Sequence, residues 1–275
     1  LYCSIGFSLY CSIGFSLYCS IGFSLYVAHA LACMYSRRPV TICREPVRYE
    51  LKIRCPSLYR PQIEAWVRTH WAHWRVRYPP RQVNNIYFDT LDSQNVEDNL
   101  DGVGERRKLR LRWYGPSLER VTDARLELKC REGAVGWKEV WPVEVGLDLT
   151  RETWPEICAR LRAAVDPRMA LYFTAAASPT LINCYHRAYY ATPDEAVRLT
   201  IDSDLRAYDQ RLSIRPNLSR AARMPDWVIV ELKAVAEYLP RLADILADFP
   251  FRPDRCSKYV SGVVSALDPD GVWLL

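Results

Sequence analysis

Histidine is scarce in this chain, with four in 275 residues, and His29, His70, His73 and His186 form no HExxH or other ligand spacing. A histidine-based metal centre is not expected. Of ten cysteines, Cys3, Cys11 and Cys19 belong to one repeat and the others are scattered singly, with no CxxC pair. Reduced thiols in a cytosolic, cytoplasmic setting are expected, and structural zinc or a disulfide frame is not. No glycine-rich P-loop and no Ser/His/Asp set occurs, so Walker-type nucleotide binding and nucleophilic hydrolysis find no support. Bulk charge is lacking as well. A formal net charge of +5 is too small to indicate nucleic acid, so any anion site must come from local arrangement. No nucleic-acid partner is expected, and no protein partner is inferable.

What is present is the composition of an ordinary globular domain, 49% hydrophobic and 25% charged, long enough to bury a sizeable core. Residues 1–24 repeat the octad LYCSIGFS three times without a substitution and then dissolve into LYVAHALACMY. Perfect octads in a chain that does not begin with Met read as translated tandem DNA, so residues 1–46 are set apart as a disordered or artefactual leader. The alternative is a membrane or sticky segment. The stretch is apolar and nearly uncharged to Tyr35, with Arg37 and Arg38 behind it, which leaves membrane association through residues 1–35 open. Its octad alternates like a strand more than a helix, and it lacks the positive n-region of a signal peptide.

The domain proper is expected over residues 47–275. RYELKI (48–53) reads as a strand, and residues 56–76 as a helix with Ile63, Trp66, Val67, Trp71 and Trp74 at helical spacing. NNIYFDT (84–90) reads as a strand and residues 91–104 as a polar connection. RKLRLRWYG (107–115) and LELKCREG (126–133) follow as strands separated by a Gly/Pro/Ser turn signal. After GWKEVWPV (136–143) the pattern turns helical over 151–177. Strand signals resume at 181–192, 197–208 and 226–234, and the last two elements, 238–247 and 256–267, read as helices.

Five of the strand runs carry Lys, Arg or Glu at every second position. Because strand side chains alternate between faces, Lys108, Arg110 and Arg112 share one side while Leu109, Leu111 and Trp113 share the other. The same split pairs Glu127 with Lys129 and Glu231 with Lys233. One such strand would be a solvated face; five, with a strongly positive sign and a few acids, suit a polyanion held with a divalent cation. Inward charges with outward Leu and Val reverse the usual barrel, so helices must cover the outside and water or ligand must fill the inside. The expected fold is α+β, an antiparallel eight-stranded β tunnel barrel with a polar lumen and flanking helices.

The order YELK, IYFD, RLRWYG, LELK with GWKE, YHR, RLTID, VELK and SKYVSGV resembles the catalytic domain of the VTC (vacuolar transporter chaperone) polyphosphate polymerases, within the triphosphate tunnel metalloenzyme or CYTH-like superfamily. The resemblance covers nearly all of residues 48–267. RLRWYG followed by an E-x-K strand and a terminal SKY-x-x-G-V is its specific part, whereas a single E-x-K is common. It implies a tunnel barrel with flanking helices and transfer of the ATP γ-phosphate to polyphosphate with Mn2+ or Mg2+; ATP and inorganic polyphosphate are the implied partners.

Residue by residue, it implies phosphate-binding roles for Lys52, Arg110, Arg112, Lys129, Lys138, Arg187, Arg198 and Lys258. Tyr185 matches a tyrosine beside the phosphates, and Glu231 a metal-binding carboxylate. Glu50, Glu127 and Lys233 lie on the same strand faces, and Arg255 is placed to guide a product polyanion near the tunnel end. YELK has fewer carboxylates than the E-x-E-x-K of the wider superfamily, which favours the VTC branch and leaves the number of metals open. The sensor domain and membrane helices of eukaryotic relatives are not recognisable, so inositol-phosphate control and export are not among the expectations.

Phosphoryl transfer requires positioning and charge neutralisation more than covalent participation, and a mixed ring of Arg and Lys supplies both. Blander assignments exist for single residues. Arg187 could be a surface charge beside Tyr185, Tyr189 and Tyr190, Lys258 is weak on its own, and Tyr87 and Phe88 are assigned to packing. Three functions stay open: polyphosphate polymerase, triphosphate hydrolase, and a polyphosphate- or inositol-phosphate-binding module without turnover.

Overall fold

The computed structural model describes residues 43–44, 48–133 and 135–268, all within the compact unit Val40–Leu275. The readings of residues 1–35 lie outside them. In chain order the strands are β1 (Cys43–Arg44), β2 (Tyr49–Pro56), β3 (Arg75–Asp89), β4 (Glu105–Tyr114), β5 (Arg120–Val121), β6 (Ala124–Glu132), β7 (Val135–Val143), β8 (Leu147–Asp148), β9 (Ser178–Ala191), β10 (Val197–Asp209) and β11 (Trp227–Ala234). The helices are α1 (Arg60–Thr69), α2 (Gln94–Leu100), α3 (Trp154–Ala164), α4 (Pro167–Ala175), α5 (Leu239–Leu246) and α6 (Lys258–Leu267).

Nine strands form one antiparallel sheet in the order β1-β7-β6-β4-β3-β9-β10-β11-β2. Eight are full strands and β1 adds two residues; β5 and β8 pair separately. The edges of this order are neighbours in the chain. Cys43–Arg44 pairs with β7, an isolated bridge joins Arg48 to Gly136 of β7, and the chain then passes to β11 as β2. The expected closure is therefore limited to a two-residue pairing and one bridge. A single run of chain serves both edges, its first part on β7 and its second on β11, and no continuous ladder joins β2 to β7 among the described residues.

The predicted face alternation places the core outside the curved sheet. Leu109, Leu111, Trp113, Leu126 and Leu128 pack beneath Trp154, Ile157 and Leu161 of α3 and Met169 and Phe173 of α4. On the other flank Ile53, Leu199, Val230 and Leu232 pack beneath Ile63 and Val67 of α1 and Leu242 and Ile245 of α5. Each fully buried Leu or Ile contributes about 1.5–3 kcal/mol, so the helices are held by the apolar half of the same strands whose other half is charged. α6 behaves differently. Its Tyr259, Val260 and Val263 pack on Tyr87, Leu181 and Ala207, which belong to the inner face, so α6 fills one end of the space that the sequence assigns to water and ligand.

Four local expectations change. The helix expected over 56–76 is confined to Arg60–Thr69: His70 turns extended at its end, His73 takes a positive φ, and Trp71 is 51% exposed. β3 begins at Arg75 and runs through Pro79 and Pro80, which fall within register shifts of the ladder to β9, where missing backbone donors are tolerated. The polar connection contains α2. The helix over 151–177 is two helices, divided where Asp166 caps Met169 N at 2.9 Å and Pro167 opens the second. No helix among the described residues is long and apolar enough to cross a membrane.

Candidate polyanion site on the inner face

Strand registry builds the site. Lys108 lies opposite Lys129, and Lys129 opposite Lys138; Arg110 is opposite both Glu127 and Tyr87. Further round, Arg187 faces Asp202, Thr200 faces Glu231, and Glu231 faces Lys52. Every member of these rows has its neighbour across the ladder on the same side of the sheet, so separate strands deliver their charges to one surface.

Two clusters result. In the first, Glu127 is almost fully buried and receives Arg110 Nη2 at 2.6 Å and Lys138 Nζ at 3.1 Å, with Arg112 Nη1 at 3.8 Å. Arg112 Nε also donates to Asn85 Oδ1 at 2.8 Å, whose amide donates to Asn183 at 2.8 Å. Burial would raise the Glu127 carboxyl, but Arg110, Arg112 and Lys138 prevail and hold it well below the usual range. In the second cluster, Lys258 Nζ lies 2.6 Å from both Asp202 and Glu231. Arg187 grips Asp202 with two nitrogens at 2.5 and 2.6 Å and reaches Glu231 at 3.3 Å. Lys233 and Lys52 approach Glu231 at 3.0 and 3.9 Å. Against its burial, these cations depress the Glu231 carboxyl far below its ordinary value.

Tyr185 and Glu50 join the clusters. Arg112 Nη2 donates to the Tyr185 hydroxyl at 3.2 Å, while Arg187 and Lys258 lie over the Tyr185 ring at 5.3 and 5.2 Å. Glu50 accepts from Lys129 at 2.9 Å and pairs with Lys52 at 3.1 Å. Lys52, Arg110, Arg112, Lys129, Lys138, Arg187 and Lys258 are thus brought together with Tyr185 and Glu231. Arg198 is not. It lies on the same face opposite Lys233, but near the rim, 3.8 Å from Glu195, with burial and the nearby Arg48 and Arg77 lowering its pKa. Arg255 stands at the α6 end, its guanidinium beside Gly102 and its charge felt by Arg106.

Three participants are not among the residues expected to bind phosphate or metal. Lys108 donates to Ser257 Oγ at 2.9 Å, and burial together with Lys52, Lys129, Arg106 and Arg110 pushes its pKa down to about 7. Asp202 continues the alternation of Arg198 and Thr200 and was legible from that spacing. Tyr87, assigned to packing, does stack on Tyr259 at 4.7 Å, yet its hydroxyl also accepts from Arg110 at 3.4 Å. Burial opposes ionisation of this phenol, but Arg110 and Arg112 lower its pKa on balance. Phe88 is core, as expected. In and around the two clusters, the nine cations Lys52, Lys108, Arg110, Arg112, Lys129, Lys138, Arg187, Lys233 and Lys258 stand against the four carboxylates Glu50, Glu127, Asp202 and Glu231.

For a metal ion the donor set is thin. No group of three His, Cys, Asp or Glu capable of holding an ion occurs among the described residues. Glu231 and Glu50 do approach a common point at Lys52 Nζ, and one or two carboxylates suit a hard ion whose other ligands are phosphate oxygens and water.

Among solved structures, the chain is similar to a Vibrio parahaemolyticus protein provisionally described as an adenylate cyclase, at 12% identity and a TM-score of 0.43, covering 78% of this chain and 97% of that one. It is also similar to a chain of the Schizosaccharomyces pombe Mediator head module, at 12% identity and a TM-score of 0.39, covering 74% and 96%. Likenesses this loose say nothing about chemistry. No curated protein matches the sequence. The VTC domain family, however, matches residues 47–267, the span that includes β2 to α6 and every side chain of both clusters, and the chain belongs to that family.

Proposed function

We propose that this protein is a metal-dependent polyphosphate polymerase, an ATP-polyphosphate phosphotransferase that passes the γ-phosphate of ATP to a polyphosphate chain lying along the basic inner face. The observation that carries the reading is the convergence of cations from six strands and α6 on one face of the sheet, in excess of the carboxylates there. Buried like charges repel, and a bound polyanion relieves such a surplus. A string of phosphates offers the matching charge.

In the reaction, a terminal oxygen of the polyphosphate chain attacks the γ-phosphorus, the bond to the bridging oxygen of ADP breaks, and ADP departs with that electron pair. Charge on the transferred group's peripheral oxygens is met by the fixed cations, with no covalent step on the protein. Arg110 and Arg112 suit bidentate contact, while Lys52, Lys129, Lys138 and Lys258 act as point charges. Asp202 and Glu127, each locked to an arginine, orient those guanidinium planes before substrate arrives. Tyr185 stands between the clusters with its hydroxyl on Arg112, placed to donate to a phosphate oxygen. Mn2+ or Mg2+, held by Glu231 with Glu50 beside it, would add further neutralisation.

Incubation of the protein with ATP and Mn2+ tests the proposal. Long polymer resolved on a gel is the expected product. Free phosphate in its place would make the protein a triphosphate hydrolase, and tight binding without turnover would make it a polyphosphate-binding module.

A further inference from the structure

We propose that the rim of the inner face beyond Arg112 and Arg187 is a stacking platform for the base of an incoming nucleoside triphosphate. The proposal rests on the triphosphate reading above and adds where the non-phosphate part of the substrate goes. Along the inner row of β9, Tyr185 and Arg187 are followed by Tyr189, and along that of β4, Arg112 is followed by Tyr114. Tyr78 of β3 lies opposite Tyr189 in the ladder, with the two rings edge to face at 5.6 Å. Arg81 ties the three tyrosines together. Its guanidinium carbon is 4.0 Å from the Tyr114 ring, 5.1 Å from Tyr189 and 5.7 Å from Tyr78, and its Nε donates to the Tyr189 hydroxyl at 3.3 Å.

In a regular strand, residues 78 and 81 would fall on opposite faces. The ladder between β3 and β9 shifts register on both sides of Tyr78, and Pro79 and Pro80 fill the second shift. This irregularity brings Tyr78 and Arg81 to the same patch. The patch begins one step beyond the second cluster, since the Arg187 guanidinium lies 6.0 Å from the Tyr189 ring. Two residues along a strand advance about 6.6 Å, the scale of a ribose between an α-phosphate and its base. Tyr78 remains 42% exposed, a large ring open at the rim, with Tyr114 and Tyr189 partly accessible beside it. Tyrosine faces and planar guanidinium groups accept any base by stacking, because every base has a π face. Recognition of this kind reads ring area and not edge pattern, so the purine nucleotides should be bound alike.

The test is the affinity of the full chain for ATP and for inorganic tripolyphosphate, in the unaltered protein and in Tyr78→Leu and Tyr189→Leu. The platform predicts that each variant raises the Kd for ATP by about five-fold or more while the Kd for tripolyphosphate stays within about two-fold. Tyr78→Trp should restore or tighten ATP binding. Retained tripolyphosphate binding shows that a variant is folded, and exposed Tyr78 serves as the test should Tyr189→Leu fail to fold. Unchanged ATP affinity in Tyr78→Leu, or equal loss for both ligands, would overturn the platform alone. If the unaltered protein bound neither ligand, the triphosphate reading would fall and the platform with it.

Discussion

At the scale of single residues, the site is defined by cations that burial makes uncomfortable. Lys108 and Lys129 are both pushed below the ordinary lysine range, to about 7 and about 8, by burial first; for Lys108 the neighbouring lysines and arginines add to it, and for Lys129 Glu50 opposes it only in part. Such groups hold fewer protons in the folded protein than in the unfolded chain between roughly pH 7 and pH 10. Stability without ligand should therefore rise with pH across that window. A bound polyanion favours the charged forms, so its binding takes up protons and its affinity falls as pH rises from 7 to 9. Calorimetric titration of tripolyphosphate at pH 8 in two buffers of different ionisation enthalpy should show that uptake, smaller in Lys108→Met. Heats independent of buffer would contradict it.

Glu231 and Arg110 make separable predictions. Glu231→Gln removes one counter-charge shared by Lys258, Lys233, Arg187 and Lys52, and breaking a buried pair costs about 3–5 kcal/mol. The melting temperature should fall and recover with added tripolyphosphate; an unchanged melting temperature would show that Glu231 is no counter-charge. Its proposed metal role is tested separately, since an unchanged manganese titration in the same variant would remove it. Arg110→Ala should lower turnover by about a hundred-fold or more with the fold retained, and full activity would exclude Arg110 from the site.

At the scale of elements, α6 is the part whose removal would matter most. Ser257 caps it, accepting from Val260 N at 3.4 Å while also holding Lys108. Gly262 lets it approach the sheet: a Cβ there would stand 2.5 Å from Leu181 Cδ2 and 3.1 Å from Ala207 Cβ. Gly262→Val should therefore destabilise by about 1–3 kcal/mol and cost turnover as well, because displacing α6 carries Lys258 away from Asp202 and Glu231. Full turnover together with a lowered melting temperature would mean that the placement of α6 is dispensable to the chemistry.

The strands were legible in the sequence because alternation of Lys or Arg with Leu is a local, period-two signal that survives folding, as in β4 and β6. What was not legible depended on long-range contacts or on misleading local cues. The strand read from Asn84 begins at Arg75, with Pro79 and Pro80 at a register shift of its ladder. Trp71 and Trp74 continued a helical spacing that the turn at 70–73 interrupts. Tyr87 looked like packing because its ring is, and only the position of Arg110 on the adjacent strand reveals the use of its hydroxyl. The chain order of SKY gave no hint that α6 would pack on the inner face and bring Lys258 between two carboxylates.

At the scale of the whole molecule, the division of labour follows from one pattern used twice. The apolar half of each strand is covered by α1 and α5 on one flank and by α3 and α4 on the other, and this covering turns the charged half inward. The covered sheet then holds mutually repelling cations that no isolated strand or hairpin could keep together, with four carboxylates setting their directions and a surplus left for ligand. Polarity along the surface follows as well: α6 and Arg255 mark one end, and the tyrosines around Arg81 mark the other. A crystal structure determined with tripolyphosphate tests this account most directly. The phosphorus atoms are predicted in line along the inner face, within contact of Arg110, Arg112, Arg187 and Lys258; a ligand bound on the outer surface, with those four side chains still held only by their protein partners, would contradict it.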